Sequence, residues 1–411
     1  MPTFRPFELE HYQSLYEHTV DYNLADSSVR CLGTREWLSD DEIAALLDTG
    51  LFYPEVNGTR ALREAIAALY PGAAAEQILV TVGASQANSM VCATLLEAGD
   101  EIVTIAPGYR QVWGLAHNTG CVVHDIALDA ENGWRLDMAA LEQAITPRTR
   151  LVALVNPNNP TGTVFSPSEM QQIVAACARV GAWLHADEVY RGTELASDDE
   201  TPSFWGMYDR VICSGSLSKA YGLAGLRIGW AVAPAMLIDA LWRRHEYAVI
   251  AAAAPSMTLA TIALQPAKRH MLLERQRRLS RTGRRLIMAW LEQLDGRVRI
   301  QPAAATSIAF VRFHLPITSF ALAERIRHDV SVLVAPGSAL GAEHHLRITV
   351  GYEPAKVQAA LDRIATVIAR VWATTGGVSG RPISHGSGVR AWRQPAARGW
   401  IAPPRHGWRW K

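Results

Sequence analysis

Short apolar runs alternate with helical patterns through the middle of the chain, and this alternation constrains the fold more than any other feature. Two helical patterns are clear, at residues 86–96 and 167–179, and Ser166-Pro167-Ser168-Glu169 begins the second as a capping box. Such alternation predicts an α/β fold with a mostly parallel sheet and helices on both faces. The predicted strands are Ile78–Val82, Glu101–Ile105, Leu151–Val155, Trp183–Ala186, Arg210–Ser214 and Ile228–Val232.

A second, smaller α+β domain is expected after an arginine-rich helical pattern at residues 270–294. Its predicted strands are 298–300, 308–313 and 346–350, and its predicted helices are 319–328 and 354–371. We expect an N-terminal arm and part of the small domain at 1–45, a large domain at 46–290, the small domain at 291–374, and a disordered basic tail at 375–411. The tail is rich in Gly, Pro, Arg and Trp and has no helical or strand period.

The composition excludes several classes of protein. Hydrophobic residues make up 49% and the net charge is +1, which excludes disorder throughout and gives no global attraction to nucleic acid or anionic membranes. The uncharged run at 248–267 is mostly alanine with polar interruptions, so we expect a buried loop and helix rather than a membrane span. The five cysteines form no CxxC pair and no ligand spacing with histidine. We therefore expect reduced core thiols, a cytoplasmic location and no metal site.

Lysine is scarce in this chain, which has 36 arginines and only four lysines. Lys219 is the only lysine in the first 267 residues, and it lies between two predicted strands. A lysine amine can lose its proton and form a Schiff base, which a guanidinium cannot do. A lysine retained at such a position therefore indicates amine chemistry.

Polar residues follow the ends of the predicted strands, where ligands of parallel sheets bind. A helix start suits a phosphate, and an acid at the end of an apolar strand needs a partner. One ligand with a phosphate, a carbonyl group and a basic ring nitrogen would account for the polar residues at all these strand ends. Pyridoxal phosphate has all three groups. The segments are Gly83 to Asn88, Asn156 to Gly162, Asp187 to Tyr190, Ser216 to Lys219, and Arg227.

Three motifs carry a resemblance to a known family. NPNNPTG at 156–162, DEVY at 187–190 and SLSKAYGLAGLRIGW at 216–230 resemble those of the class I and II aminotransferases, of fold-type-I pyridoxal phosphate enzymes. The resemblance covers residues 45–370. It implies a large domain with a mostly parallel seven-stranded sheet, a smaller α+β domain and pyridoxal 5′-phosphate as cofactor. It also implies transfer of an amino group between an L-amino acid and a 2-oxo acid.

The resemblance further implies roles for individual residues. Lys219 forms the Schiff base and then moves the substrate Cα proton, and Asp187 pairs with the ring nitrogen. Tyr190 and Asn159 donate hydrogen bonds to the ring 3-oxygen, and Tyr109 stacks on the ring face. The phosphate cup comprises Ala84, Ser85, Ser216, Ser218 and Arg227.

Two further matches concern the substrate and a second subunit. Arg347, in HHLRITVGY, matches the arginine that binds the substrate α-carboxylate, and Asn159 belongs to the same substrate site. Tyr53 matches a tyrosine that reaches the phosphate of the partner subunit, which implies a homodimer with shared active sites.

The N-terminal segment 22–30, YNLADSSVR, departs from the common family pattern. It resembles pyridoxal phosphate enzymes that process arginine, of the capreomycidine synthase and arginine hydroxylase kinds. Asp26 then faces a cationic substrate end, with Glu17 as a weaker second acid; the alternative is that Asp26 only caps a turn. Trp113 and Arg110 are weaker candidates for lining the pocket. A cyclase, lyase or oxygen-using enzyme acting on arginine is thus the alternative to an aminotransferase.

A regulator or nucleic-acid-binding protein on the same fold is the alternative from another class. About 45 residues precede the catalytic region, too few for the winged-helix domain that such regulators carry. Arginine and tryptophan in the tail can contact nucleic acid, but a solvated extension is expected. The expected partners are therefore small molecules and a second copy of the chain, with no membrane.

Overall fold

The computed structural model describes residues 4–374, which form an eight-stranded sheet, a four-stranded sheet and a two-stranded pair. The strands are β1 (Tyr22–Asn23), β2 (Ile78–Val82), β3 (Glu101–Ala106), β4 (Val122–Asp129), β5 (Arg135–Leu136), β6 (Thr149–Val155), β7 (Trp183–Asp187), β8 (Val211–Ser216), β9 (Ile228–Val232), β10 (Val298–Ile300), β11 (Ile308–Phe313), β12 (Val332–Leu333), β13 (Ala335–Pro336) and β14 (His345–Thr349). The helices are α1 (Glu8–Tyr16), α2 (Asp40–Leu47), α3 (Arg60–Ala67), α4 (Gly83–Leu95), α5 (Gln111–Thr119), α6 (Met138–Ala144), α7 (Pro167–Val180), α8 (Ala235–Ala248), α9 (Ala254–Ala263), α10 (Pro266–Glu292), α11 (Ser319–Val330) and α12 (Pro354–Thr374).

The large sheet has the strand order β2-β9-β8-β7-β6-β3-β4-β5. Strands β8, β7, β6, β3 and β4 are parallel neighbours, while β9, β2 and β5 pair antiparallel. The expected mostly parallel sheet is therefore confirmed, with the two-residue β5 as an eighth strand at one edge. The apolar pattern missed β4 because that strand is half exposed and carries His124, Asp125 and Asp129.

Helix α7 illustrates how local sequence sets an element boundary. The Ser166 hydroxyl accepts a hydrogen bond from the Glu169 amide, and the Glu169 carboxylate accepts one from the Ser166 amide at 2.7 Å. Gly181 ends the helix at φ 74°, a conformation that favours glycine. The predicted start at Pro167 is confirmed, and the helix ends at Val180, one residue later than predicted.

The four-stranded antiparallel sheet has the order β10-β11-β14-β13 and packs against α10, α11 and α12. The N-terminal segment adds Leu24 to the same core, and its strand β1 pairs in parallel with β12 as a separate two-stranded unit. Helix α10 connects the two cores: Leu272 and Leu273 lie in the large one, and Trp290 and Leu291 in the small one. The domain boundaries at residues 45, 290 and 374 stay a prediction.

The structure also bears on the expectations for the alanine-rich run, for membrane-spanning helices and for the cysteines. The alanine-rich run forms the loop and helix α9, with Met257 and Ala260 fully buried. Within residues 4–374, no helix is long and apolar enough to cross a membrane. Four cysteines are buried but Cys31 is exposed, so the prediction of a core thiol is wrong there. The expected disorder of 375–411 lies outside the described residues.

Candidate active site

The Lys219 amine lies just after β8, at the carboxyl edge of the large sheet. Its Nζ donates to the Ser27 hydroxyl at 2.9 Å and lies 3.7 Å from Asp26 Oδ1. Burial disfavours the charged amine, but Tyr190 and the Asp26 carboxylate outweigh it, so the pKa of Lys219 is raised. The N-terminal segment thus supplies the immediate surroundings of the lysine.

Asp187 is the last residue of β7 and is buried. Its Oδ2 accepts from Asn88 Nδ2 at 2.9 Å, and its Oδ1 accepts from the Val189 amide at 3.2 Å. Burial raises the pKa of Asp187 to about 6, although the bond from Asn88 acts in the opposite direction. A buried carboxylate of this kind is stabilised in its charged form by a cationic group placed against it.

Two tyrosine rings lie close to this acid and amine, Tyr190 buried and Tyr109 partly buried. The Tyr190 hydroxyl donates to the Ser27 carbonyl at 3.2 Å, and burial raises the pKa of Tyr190. Tyr109 lies beyond β3, packs edge-on against Phe7 with ring centroids 5.0 Å apart, and donates to Glu10 Oε1 at 2.9 Å. Tyr109 therefore has an aromatic face near Asp187 and a hydroxyl held by helix α1.

A site suited to an anion lies at the start of α4. Gly83 begins the helix at φ 74°, and a Cβ added there would lie 2.3 Å from Arg227 Nη2. Arg227 Nη1 donates to the Ser218 hydroxyl at 3.4 Å, and the Ser218 amide donates to Ser216 Oγ at 3.2 Å. Ala84 and Ser85 form the first turn of α4, whose free amides and dipole favour negative charge. A guanidinium, two hydroxyls and a helix start are thus brought together.

A second arginine is buried on β14 and is only 1% exposed. Arg347 Nη1 donates to Asn159 Oδ1 at 3.1 Å and Nη2 donates to the Ala25 carbonyl at 2.5 Å. Its Nε has no hydrogen-bond partner among the described residues. Within residues 4–374 no carboxylate lies within 4 Å of this guanidinium, so it is suited to binding an anionic group.

Asp26 lies beside the lysine and is held by its own turn. Its carboxylate accepts from the Ser27 amide and the Ser28 hydroxyl, each at 2.5 Å, and from Tyr352 at 3.1 Å. Burial opposes its ionisation, but Lys219 and Ser28 outweigh burial, so the pKa of Asp26 is lowered. Asp26 therefore caps a turn and also carries a negative charge next to the amine.

Several predicted residues lie outside this cluster. Tyr53 is 80% exposed in the segment between α2 and α3. Glu17 contacts His18 at 3.4 Å, on the neighbouring position of the chain. By contrast, Arg110 and Trp113 line a small cavity that Asp187 also lines. Arg110 stacks over Trp113 with its Cζ 4.2 Å from the ring centroid, and its guanidinium is paired with an aspartate.

Sequence reasoning gave no individual role to four residues that contact the predicted ones. Asn88 had a detectable signal, because it lies one helical turn after Ala84 and so shares a face of α4 with it. The others reach the site only through tertiary packing, which no local pattern reveals. They are Ser27, Glu10 and Tyr352.

Comparison with known proteins assigns the family. The model of the family described as Aminotransferase class I and II matches residues 30–364. The chain belongs to this family. Its relatives show that the protein is an aminotransferase. It uses pyridoxal phosphate as its cofactor.

Two curated relatives of this aminotransferase have names that refer to amino-acid chemistry. Capreomycidine synthase of Streptomyces vinaceus is 32% identical over 298 residues, covering 71% of this chain and 74% of the relative. Arginine–pyruvate transaminase of Pseudomonas aeruginosa is 31% identical over 341 residues, covering 80% and 85%. A solved pyridoxal phosphate-dependent aminotransferase of Streptococcus suis superposes with a TM-score of 0.84 at 29% identity, covering 90% of this chain and 99% of that one.

The residues of this aminotransferase fit the cofactor. The space that a Cβ at Gly83 would fill is lined by Arg227, as a phosphate oxygen requires. The buried Asp187 has no cationic partner within 4 Å in the described part of the chain, and a protonated ring nitrogen would supply one. The Lys219 amine lies at the same edge of the sheet and would be available to the cofactor aldehyde.

Proposed function

We propose that Lys219 is the amine that holds the cofactor aldehyde and that its Nζ moves the proton at the substrate Cα. The observation that carries this proposal is the convergence, at one edge of the sheet, of three groups. They are the Lys219 amine, the Asp187 carboxyl with a pKa of about 6, and the anion site at Arg227. An amine, an acid and an anion site are the groups that pyridoxal phosphate chemistry needs from a protein.

The same proposal assigns the other contacts of the cofactor to the remaining site residues. Asp187 holds the ring nitrogen, Tyr109 covers the ring face, and Tyr190 and Asn159 hold the 3-oxygen. When bound, pyridoxal phosphate supplies a protonated ring that accepts the electron pair released from the substrate Cα–H bond. The phosphate is held by Ala84, Ser85, Ser216, Ser218 and Arg227.

Substrate binding is assigned to Arg347, with Asn159 beside it. The guanidinium already donates to Asn159 Oδ1 and the Ala25 carbonyl, which fixes the plane in which it meets a carboxylate. Binding the α-carboxylate there orients the Cα–H bond of the amino acid toward the Lys219 amine. Lys219 then takes the proton from Cα, and it returns a proton when a 2-oxo acid receives the amino group.

We further propose that the amino donor is a cationic amino acid such as arginine and that pyruvate is an acceptor. Asp26 keeps its negative charge beside the amine, where the substrate binds. The names of two relatives, an arginine–pyruvate transaminase and a capreomycidine synthase, support this substrate class.

The assay that separates transamination from the alternative chemistry incubates the holoenzyme with arginine, with and without pyruvate. Transamination makes alanine in proportion to the arginine consumed, and only when pyruvate is present. A cyclase, lyase or oxygen-using enzyme would consume arginine without pyruvate, and release of ammonia or peroxide would identify the last two. Consumption of more than one equivalent of arginine per active site without an acceptor therefore contradicts the proposed reaction.

The role of Lys219 is tested by reducing the holoenzyme with borohydride and mapping the modified peptide. We expect one pyridoxyl group on the peptide that contains Lys219, and none in Lys219→Ala. Lys268→Ala is the matched control, because Lys268 is bonded to Glu42 at 2.7 Å and to the Trp37 carbonyl at 2.6 Å. A pyridoxyl group on another lysine would overturn the assignment.

We propose a homodimer in which Tyr53 reaches the phosphate of the partner subunit. The support is an exposed apolar segment around Tyr53, formed by Leu47, Leu51 and Phe52, which are 67–90% exposed. Exposed apolar clusters of this kind mark interaction surfaces. Mixing inactive Lys219→Ala with impaired Tyr53→Ala subunits should restore activity, since each mixed dimer contains one site with both residues intact. No restoration, with mixed dimers verified by mass spectrometry, would contradict a shared site.

A cytoplasmic location completes the proposal. Its support is the burial of four free thiols, which raises the pKa of Cys92 to about 12 and keeps that thiol protonated and unreactive. Fractionation of the source cells, followed by immunodetection, should find the protein with the cytoplasmic markers and not with the membrane or exported fractions.

A further inference from the structure

A small cavity of about 30 Å³ adjoins Asp187 on the side of the large sheet that faces α4 and α5. Its walls include Ile105 and Leu154, from β3 and β6, and the polar side chains of Asn88 and His185. This volume accommodates one or two water molecules and is far too small for a substituted pyridine ring. The cavity therefore cannot hold the cofactor ring, although Tyr109 and Asp187 also line it.

Two buried side chains in this wall have an unpaired polar atom. Asn88 is 2% exposed, and its Nδ2 donates to Asp187 Oδ2 at 2.9 Å and to Gln111 Oε1 at 3.2 Å. Its Oδ1 has no partner in the described part of the chain. His185 is 1% exposed; its Nε2 lies 2.8 Å from Ser214 Oγ, while its Nδ1 has no partner within residues 4–374. Buried polar atoms of this kind are normally satisfied by protein or by ordered water.

We propose that one buried water in this cavity links His185 Nδ1 to Asn88 Oδ1, which makes Asn88 and His185 positioning residues for the Asp187 carboxylate. The inference rests on the proposed role of Asp187. A water molecule can donate to Asn88 Oδ1 and bond His185 Nδ1 at the same time, so it satisfies both atoms.

The link matters because the two ends of the Asn88 amide have opposite effects on Asp187. With Nδ2 toward Asp187, the amide donates to the carboxylate; with the amide reversed, two oxygens would face each other. A water held by His185 fixes Asn88 Oδ1 in the cavity and, together with Gln111 Oε1 accepting from Nδ2, selects the donating orientation. Burial lowers the pKa of His185 to about 4, so the imidazole is neutral. The Ser214 hydroxyl can donate to Nε2 or accept from it, and a water can bond Nδ1 in either tautomer.

The first experiment measures the affinity of cofactor-free protein for pyridoxal phosphate by equilibrium titration. We expect Asn88→Ala to weaken binding about 10-fold, the cost of one hydrogen bond to a charged group. In the Asp187→Ala background the same change should have no further effect. If Asp187→Ala binds pyridoxal phosphate normally, the proposed role of Asp187 fails. If Asp187→Ala weakens binding and Asn88→Ala weakens it by about a further 10-fold in that background, only this inference fails.

The second experiment tests the water link through His185. His185→Leu fills the same volume without a polar atom and should weaken cofactor binding several-fold, whereas His185→Asn keeps a polar atom near the position of Nδ1 and should restore most of it. His124→Leu, on β4 and away from the cavity, is the matched control and should bind normally. Equal weakening by the Leu and Asn variants would indicate packing alone and would overturn the inference.

A third measurement does not depend on how well the His185 variants fold. Ring ¹⁵N shifts of histidine-labelled cofactor-free protein report the hydrogen bonds of each imidazole nitrogen. Asn88→Ala should shift the Nδ1 signal of His185 and leave that of His124 unchanged. An unchanged His185 signal in folded Asn88→Ala protein would contradict the link.

Discussion

Replacing Arg347 with methionine should impair substrate binding severely while changing protein stability little. Arg347 is 1% exposed, and among the residues that the structure describes its guanidinium bonds only two neutral oxygens and leaves Nε unpaired. Methionine has a similar length and is flexible enough to fill the site, but it carries no donor for a carboxylate. The substitution should therefore weaken substrate binding strongly and change the free energy of unfolding little.

The magnitudes follow from the groups in contact. Loss of a bidentate, charge-assisted contact with the substrate carboxylate costs roughly 3 kcal/mol, or about 150-fold in KM. In the protein alone, Asn159 Oδ1 and the Ala25 carbonyl each lose a donor, at about 1 kcal/mol apiece, while one unpaired buried N–H, worth about 1–3 kcal/mol, is relieved. The free energy of unfolding should therefore change by less than about 2 kcal/mol.

Steady-state kinetics with several amino donors, together with urea unfolding of the cofactor-free protein, provides the test. KM should rise by a similar factor for every amino acid, because all of them share the α-carboxylate. Arg347→Lys keeps the charge but loses the planar pair of donors, so it should fall between the wild type and Arg347→Met. An unchanged KM in Arg347→Met, or an effect confined to one amino acid, would refute the assignment.

Three further predictions concern the acid, the helix start and the lysine. The pKa of Asp187 is about 6 in the folded protein against an ordinary 3.8, so the folded state binds more protons and cofactor-free protein loses stability as pH rises between these values. Relative to wild type, Asp187→Asn should thus gain about 3 kcal/mol at about pH 7 and nothing at about pH 3, by urea unfolding at each pH; a pH-independent difference would argue against a raised pKa. Gly83→Ala should destabilise the protein by about 1 kcal/mol because φ is positive at this position. The added methyl group should displace Arg227 and so weaken pyridoxal phosphate binding at least about 10-fold. Normal affinity in a titration would exclude a phosphate site there. Asp26→Asn removes a charge that raises the pKa of Lys219, so acetylation of this amine in cofactor-free protein, followed by mass spectrometry, should set in at lower pH than in wild type; the same onset would show that the carboxylate has no influence.

The sequence predicts the main sheet and the carboxyl edge of its strands because both depend on local patterns. Lys219 and Arg227 lie in one motif with family-like spacing, and Asp187 directly ends an apolar strand. Parallel strands bring such residues to the same edge whatever the details of packing. Strand β4 was missed for the converse reason, since its exposed polar residues break the apolar run.

The surroundings of these residues were not predictable because they come from distant parts of the chain. Ser27 and Lys219 are 192 positions apart in the sequence and are brought together by the return of the N-terminal segment over the sheet edge. Glu10 reaches Tyr109 from a separate helix in the same way. A single sequence contains no pattern that pairs such residues, so only the packed structure reveals them.

Helix α10 limits how the two halves of the molecule, each with its own apolar core, can rotate relative to each other and where a protease can cleave between them. Its 27 residues correspond to a rod about 40 Å long that contributes side chains to both apolar cores. At its midpoint the close approach of Gly283 to Val350 leaves no room for a side chain. Along this connection a protease meets ordered helix instead of an extended linker. Relative rotation of the halves must therefore be absorbed by bending of the rod or by shifts at its ends.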